Sequence, residues 1–193
     1  LSPLLTSSEI GRALQECGAR VIVTDPLHAE VCQRAAPGLT QIHINAPPFT
    51  DPLDRALDGL ADPEVAESRD DDFLIQYSSG STGRLKQVRR SQYNLVSEAR
   101  NFTSGAGITA ADRILCLAPV NHAHGLGNGL LAAIHSGATL FLESLGNPAA
   151  LPDRCGWILD RLQRDRITVF PGVPYLFDAL AGAPEGRPLD LSQ

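Results

Sequence analysis

The chain of 193 residues has no methionine, a single tryptophan and only 5% aromatic residues. A core built without Met as a gap-filler and with few rings must rest on Leu, Val, Ile and Ala. At 43% hydrophobic residues the chain has enough of these to exclude a disordered polypeptide. An excess of positive charge is also missing: the formal net charge is −6, so the basic patch that displaces counterions from a nucleic acid is absent. The one basic cluster, Arg84, Lys86, Arg89 and Arg90, is too short for a duplex and suits a small phosphorylated ligand. No apolar run approaches the ~20 residues that cross a membrane, and no secretory signal is present. Cys17, Cys32, Cys116 and Cys155 form neither a CxxC pair nor a zinc spacing with the histidines. Reduced, mostly buried thiols in a cytoplasmic protein are expected.

The missing start residue, the opening Leu1-Ser2-Pro3-Leu4-Leu5 and a tail to Gln193 without a terminating element predict a piece excised from a longer fold.

What is present is an alternation of helix and strand. Ser7 or Ser8 is expected to cap a helix over 9–17, with Ile10, Ala13 and Leu14 on one face and Gly18 as its stop. A β-branched strand at 20–24 follows, then a helix opened by Asp25-Pro26 and ended by Pro37-Gly38, then a strand at 41–44. Residues 45–72 read as a surface connection with a short helix near 53–60; Asp70-Asp71-Asp72 reads as a solvated turn rather than a metal site. Strands at 73–77 and 87–90 flank a Ser/Gly-rich loop. Ser91 caps a helix carrying Leu95, Ala99, Phe102 and Ala106. A strand at 112–118, a Gly-rich helix at 122–135 and a strand at 138–142 come next. An amphipathic helix to about 166 should bury Trp157, Ile158 and Leu162, before a strand at 167–170 and a helix at 173–180. Strands separated by helices imply βαβ units, an α/β fold with a largely parallel sheet.

The chemistry concentrates in Tyr77-Ser78-Ser79-Gly80-Ser81-Thr82-Gly83-Arg84-Leu85-Lys86. Gly80 and Gly83 let the backbone approach a ligand closely. Ser78, Ser79, Ser81 and Thr82 can donate to phosphate oxygens, successive amides can form an anion nest, and Lys86 adds a full charge. A Walker loop needs adjacent Gly and Lys followed by Ser or Thr, and a dinucleotide fingerprint needs a third glycine before a helix; neither is present. Residue types alone leave two readings open, a polyphosphate cradle and an ordinary Ser/Gly hairpin with an exposed lysine.

The order of these residues resembles the phosphate-binding signature of the adenylate-forming superfamily, Tyr-[Ser/Thr]-Ser-Gly-[Ser/Thr]-Thr-Gly-x-Pro-Lys-Gly-Val. Tyr77 to Gly83, Lys86 and Val88 match in register, while Leu85 replaces the usual proline and Gln87 the usual glycine. The likeness extends to Pro3–Ile10 with Gly18–Thr24, and to Gly137–Leu140 and Ile167–Pro174. Pro119-Val120-Asn121-His122-Ala123-His124-Gly125 resembles the segment that borders the acyl pocket in acyl-CoA synthetases, placing His122 and Gly125 beside the acyl substrate. His124 matches no family role, and His122-x-His124 lacks a third ligand for a metal.

The resemblance implies that residues 1–193 are one fragment of the large N-terminal AMP-binding domain, with 1–72 as lead-in and 73–193 as the phosphate-loop and acyl-pocket half. It implies an acid–thiol ligase: a carboxylic acid and ATP give an acyl-adenylate and pyrophosphate, and the acyl group then passes to coenzyme A or a carrier-protein thiol. Ser78, Ser79, Gly80, Ser81, Thr82, Gly83 and Lys86 would hold the phosphates, with Lys86 and Thr82 as catalytic residues and Mg²⁺ neutralising charge. Asn121-His122-Ala123-His124 lacks the aspartate usual in amino-acid-activating members, which favours a fatty or aryl acid. The family's adenine, ribose, hinge and C-terminal lysine segments lie beyond Gln193, so the C-terminal domain is expected to be missing and the piece alone inactive. The alternatives are a non-catalytic nucleotide-binding or scaffold module and an amino-acid-activating adenylation domain.

Overall fold

A computed structural model describes residues 1–2, 5–44, 69–79, 85–145 and 151–183. The helix expected near 53–60 and the glycine-bearing bend at 80–84 lie outside the described residues. The chain forms two compact units, one of residues 1–68 and 75–89, the other of 69–74 and 90–193.

In the first unit, helix α1 (Ser7–Glu16) is capped by Thr6 rather than by Ser7 or Ser8. Glu9 N donates to Thr6 Oγ1 at 3.3 Å, and Thr6 N donates to the Glu9 carboxylate at 2.8 Å. That reciprocal capping box needs the acid three residues after the cap, and only residue 6 stands at that distance from Glu9. Gly18, at φ +65°, ends the helix turn as expected. Strand β1 (Val21–Thr24) pairs in parallel with β2 (Thr40–His43), Val21 opposite Thr40. Helix α2 (Ala29–Ala35) joins them. Asp25-Pro26 does not open α2. Asp25 Oδ1 instead accepts from both the backbone N and the Nδ1 of His28, each at 2.8 Å, and this turn delays the helix. Ile10 and Leu14 of α1 pack with Ile22 and Cys32 to form the core of this unit.

Strands β3 (Asp72–Ser79) and β4 (Leu85–Ser91) pair with one another and carry the chain between the units. With only five residues between them, a parallel crossover is impossible and the pair is a hairpin. Both strands are longer than the apolar runs suggested, since ladder pairing holds polar residues that have no strand propensity of their own.

The second unit begins with α3 (Gln92–Ala106), capped by a reciprocal box between Ser91 and Asn94 and closed by Gly107 in the left-handed region. Leu95 and Ala99 are buried as the spacing predicts. The next buried position is Thr103, not Ala106, because its hydroxyl can donate to the Ala99 carbonyl at 2.9 Å and so enter the core satisfied. Strand β5 (Arg113–Cys116) pairs in parallel with β6 (Thr139–Leu142). The Gly-rich stretch between them is a π-helical segment, Gly125–Leu131, running into α4 (Ala132–Ser136). Helices α5 (Leu151–Arg164) and α6 (Pro174–Ala181) follow, with Pro174 in the first turn of α6 as expected.

Residues 167–170 form no extended strand. Val169 makes a single parallel bridge to Ile114, and its carbonyl accepts from Leu115 N at 3.0 Å. Among the described residues the sheet structure is therefore three two-stranded pairs, two of them parallel, rather than one continuous sheet. Leu115, Leu117, Ile158, Leu162 and Leu176 fill the main core of this unit. Trp157 lies at its margin, half-buried, with the Arg154 and Arg161 guanidinium carbons 4.7 and 5.8 Å from its ring centroid. A ring that receives cations on its face must keep that face near solvent.

Candidate functional site

The expected site residues fall into two groups, one in each unit. In the first unit, exposure changes between adjacent residues at two places in the β3–β4 hairpin, as side chains on opposite faces of a strand allow. Tyr77 of β3 and Gln87 of β4 are half-buried, whereas their sequence neighbours Ser78 and Lys86 are exposed. Ser79 ends β3. Gly80, Ser81, Thr82 and Gly83 lie outside the described residues.

Tyr77 and Gln87 belong to a directed set of hydrogen bonds. Tyr77 Oη donates to the Ala13 carbonyl at 2.8 Å and accepts from Gln87 Nε2 at 3.3 Å. Gln87 Oε1 accepts from Arg89 Nε at 3.1 Å. Burial pushes the Tyr77 phenol up from its ordinary value, and the Gln87 donor acts against that rise. Gln87 thus has structural work that its residue type did not announce. The only sequence signal was its departure from the motif.

In the second unit, the π-helical segment is built on glycines that admit its neighbours. A Cβ at Gly125 would overlap the Ala118 and Pro119 carbonyls, and one at Gly129 would overlap Cys116 Sγ. A Cβ at Gly127 would overlap the Glu98 carboxylate, which is ion-paired with Arg90. Cys116 Sγ, held between Ala118 O at 3.5 Å and Gly125 O at 3.7 Å, is buried, and burial pushes its thiol up. A π turn is wider than an α turn, and such turns recur where a helix lines a site.

His122 precedes this segment. Its N donates to the Pro119 carbonyl and its carbonyl accepts from Leu126 N, each at 2.9 Å, while the imidazole is exposed. His124 is different. Asn128 Nδ2 lies 3.2 Å from His124 Nδ1. With the amide donating, Nδ1 is the acceptor and the proton of the neutral ring sits on Nε2. His124 Nε2 is buried and, among the described residues, finds no hydrogen-bond partner. The motif gives His124 no role; a buried ring nitrogen without a partner among the described residues is the feature that singles it out, and it can be seen only in three dimensions. Glu98 and Arg90 were likewise illegible as a pair from sequence.

A family described as "AMP-binding enzyme" matches residues 1–193. The chain is 33% identical over 185 residues to a feruloyl-CoA synthase of Amycolatopsis sp, a match covering 95% of this chain and 35% of that protein. It is 29% identical over 201 residues to 4-coumarate--CoA ligase 3 of Arabidopsis thaliana, covering 99% of this chain and 35% of the relative. ATP-bound MatB from Rhodopseudomonas palustris superposes with a TM-score of 0.78 at 27% identity, covering 95% of this chain and 35% of that one. The chain therefore spans about a third of the length of the relatives it matches.

Proposed function

This chain belongs to the AMP-binding enzyme family, and we propose that it forms the phosphate-gripping and acyl-facing part of an ATP-dependent acid–thiol ligase. In this reaction a carboxylate oxygen attacks the α-phosphorus of ATP, pyrophosphate leaves, and the acyl-adenylate passes its acyl group to the thiol of coenzyme A, releasing AMP. The observation that carries the proposal is the family match across 1–193 together with the sequence register of Tyr77–Lys86, whose two ends lie on the paired strands β3 and β4.

On this reading Lys86, exposed on β4, holds the β- and γ-phosphates. Ser78, Ser79, Ser81 and Thr82 supply hydroxyl donors, and Gly80 and Gly83 let backbone amides face the phosphates. Thr82 donates to the phosphate oxygens on which negative charge grows during attack. Mg²⁺, carried by the triphosphate, would share that charge. The neutral hydroxyls of the bend suit the surroundings of a phosphate-held ion, and among the described residues no three acidic, His or Cys side chains converge on a resident cation site. His122 and Gly125 border the acyl group; Gly125 does so as backbone, since it has no room for a side chain.

The acid is proposed to be aromatic and to carry a polar substituent. The relatives act on ferulate and 4-coumarate by name, and His124 Nε2 offers a buried proton that a phenol or ether oxygen would accept. The rival, a nucleotide-binding module without turnover, draws on the Leu85 and Gln87 departures. Lys86→Ala in the full-length protein separates the two. The ligase reading expects ATP–pyrophosphate exchange to fall by on the order of 10²-fold. Exchange unchanged by the substitution rejects it.

A further inference from the structure

We propose that Gln87 is a positioning residue for nucleotide binding: through the phenol of Tyr77 it fixes both arms of the β3–β4 hairpin and so sets the direction of Ser78 and Lys86. The inference rests on the ligase reading above for the identity of the ligand, and on hydrogen-bond geometry for the rest.

Four groups form one directed line. Arg89 Nε donates to Gln87 Oε1, Gln87 Nε2 donates to Tyr77 Oη, and Tyr77 Oη donates to Ala13 O, at 3.1, 3.3 and 2.8 Å. The phenol has one proton, and it goes to the Ala13 carbonyl; the phenol oxygen accepts in turn from Gln87 Nε2 on β4. Ala13 is among the most buried residues of α1. The line therefore ties β4 to β3 and both to the core of the first unit, and bonds in such a line strengthen each other.

The consequence follows from the pleat. Tyr77 and Gln87 turn inward, so Ser78 and Lys86, one residue away on each strand, turn outward. Holding the inward pair holds the outward pair. A glycine at 87, as the motif usually has, would leave Tyr77 Oη without this donor and β4 free to shift against β3. Gln87 supplies by hydrogen bonding part of the stiffness that the proline replaced by Leu85 would have given through its fixed φ.

The test uses the full-length protein and ATP–pyrophosphate exchange, with Gln87→Leu, Tyr77→Phe and the double variant. One ordinary hydrogen bond corresponds to about 2- to 12-fold in an equilibrium constant. Each single variant is expected to raise KM for ATP by about that factor, with kcat and the KM for the carboxylate within about twofold. The double variant is expected to be no worse than the poorer single, since both act through one line. An unchanged KM for ATP, an equal loss in kcat, or strictly additive effects would overturn the proposal. A second measurement does not depend on turnover: absorbance titration of the tyrosines should show one phenol ionising at higher pH in Gln87→Leu than in the parent, and identical titrations would overturn the brace. Parent protein that shows no exchange rejects the ligase reading, whereas active parent with an indifferent Gln87→Leu rejects this inference alone.

Discussion

Glu98 closes over Gly127: its carboxylate, ion-paired with Arg90, occupies the space that a Cβ at position 127 would take. The relation joins the end of β4, the second turn of α3 and the π-helical segment within one unit. It makes Gly127→Ala a packing lesion, costing about 1–3 kcal/mol in unfolding free energy. Glu98→Ala is expected to cost about 1–2 kcal/mol, between the limits for exposed and fully buried pairs. With Glu98 shortened, the added methyl at 127 finds room, so the double variant should be more stable than the sum of the singles. Strict additivity in denaturant melts would show that the carboxylate does not occupy that space.

On the proposed function, His124 would bear on substrate choice. A buried donor that meets an acceptor on the acyl group favours substrates that bring one, and replacing it removes the preference. His124→Phe in the full-length protein should lower kcat/KM for hydroxylated or methoxylated aromatic acids relative to unsubstituted ones by about 10-fold or more. An unchanged ratio between the two classes would remove His124 from the acyl site.

Asp112 predicts an acid-side change in stability. Thr168 Oγ1 donates to Oδ1 at 2.7 Å, and Thr109 N and Oγ1 donate to Oδ2 at 2.8 and 3.0 Å. The Thr168 hydroxyl first, then the Thr109 amide, hold its carboxyl below the usual aspartate value. A lowered folded value means that the stabilisation is complete above the ordinary aspartate range and is lost as pH falls through the folded value. Asp112→Asn should therefore lower the melting temperature at neutral pH, and the gap to the parent should narrow as the pH is taken below 4. A gap that stays constant down to that pH would show that the ionised carboxylate contributes nothing.

The cysteines should differ in reactivity. Cys32, Cys116 and Cys155 are buried while Cys17 is half-exposed, and burial raises the Cys116 thiol further from ionisation. An alkylating reagent at neutral pH should label Cys17 first, with the other three following only as the protein unfolds. Early labelling of Cys116, read by peptide mass, would contradict the packing of β5 against Gly129.

Much of the fold was legible because local rules agree with the tertiary outcome. The buried stripe Ile10, Ala13, Leu14 and the left-handed stop at Gly18 followed from spacing and from the one residue type that tolerates positive φ. Misplacements came where a side chain competed with a local rule. Thr6 captured the cap through Glu9, Asp25 captured His28 in a turn, and Thr103 entered the core by donating to Ala99. At 167–170 the apolar run satisfied strand propensity, yet it keeps only one bridge to β5.

By itself the sequence determined the chemistry on offer at the hairpin: the hydroxyls, the two glycines and the lysine, in an order that residue-by-residue register makes specific. It also determined the alternation of elements, because periodicity and caps are local properties. Only the tertiary structure decided which side chains meet across distance in sequence. Tyr77 reaches Ala13, Glu98 lies between Arg90 and Gly127, and His124 Nε2 is buried without a hydrogen-bond partner among the described residues. Such relations depend on how strands and helices pack, and no short window of residues encodes the distance between a carboxylate on one helix and a glycine on another.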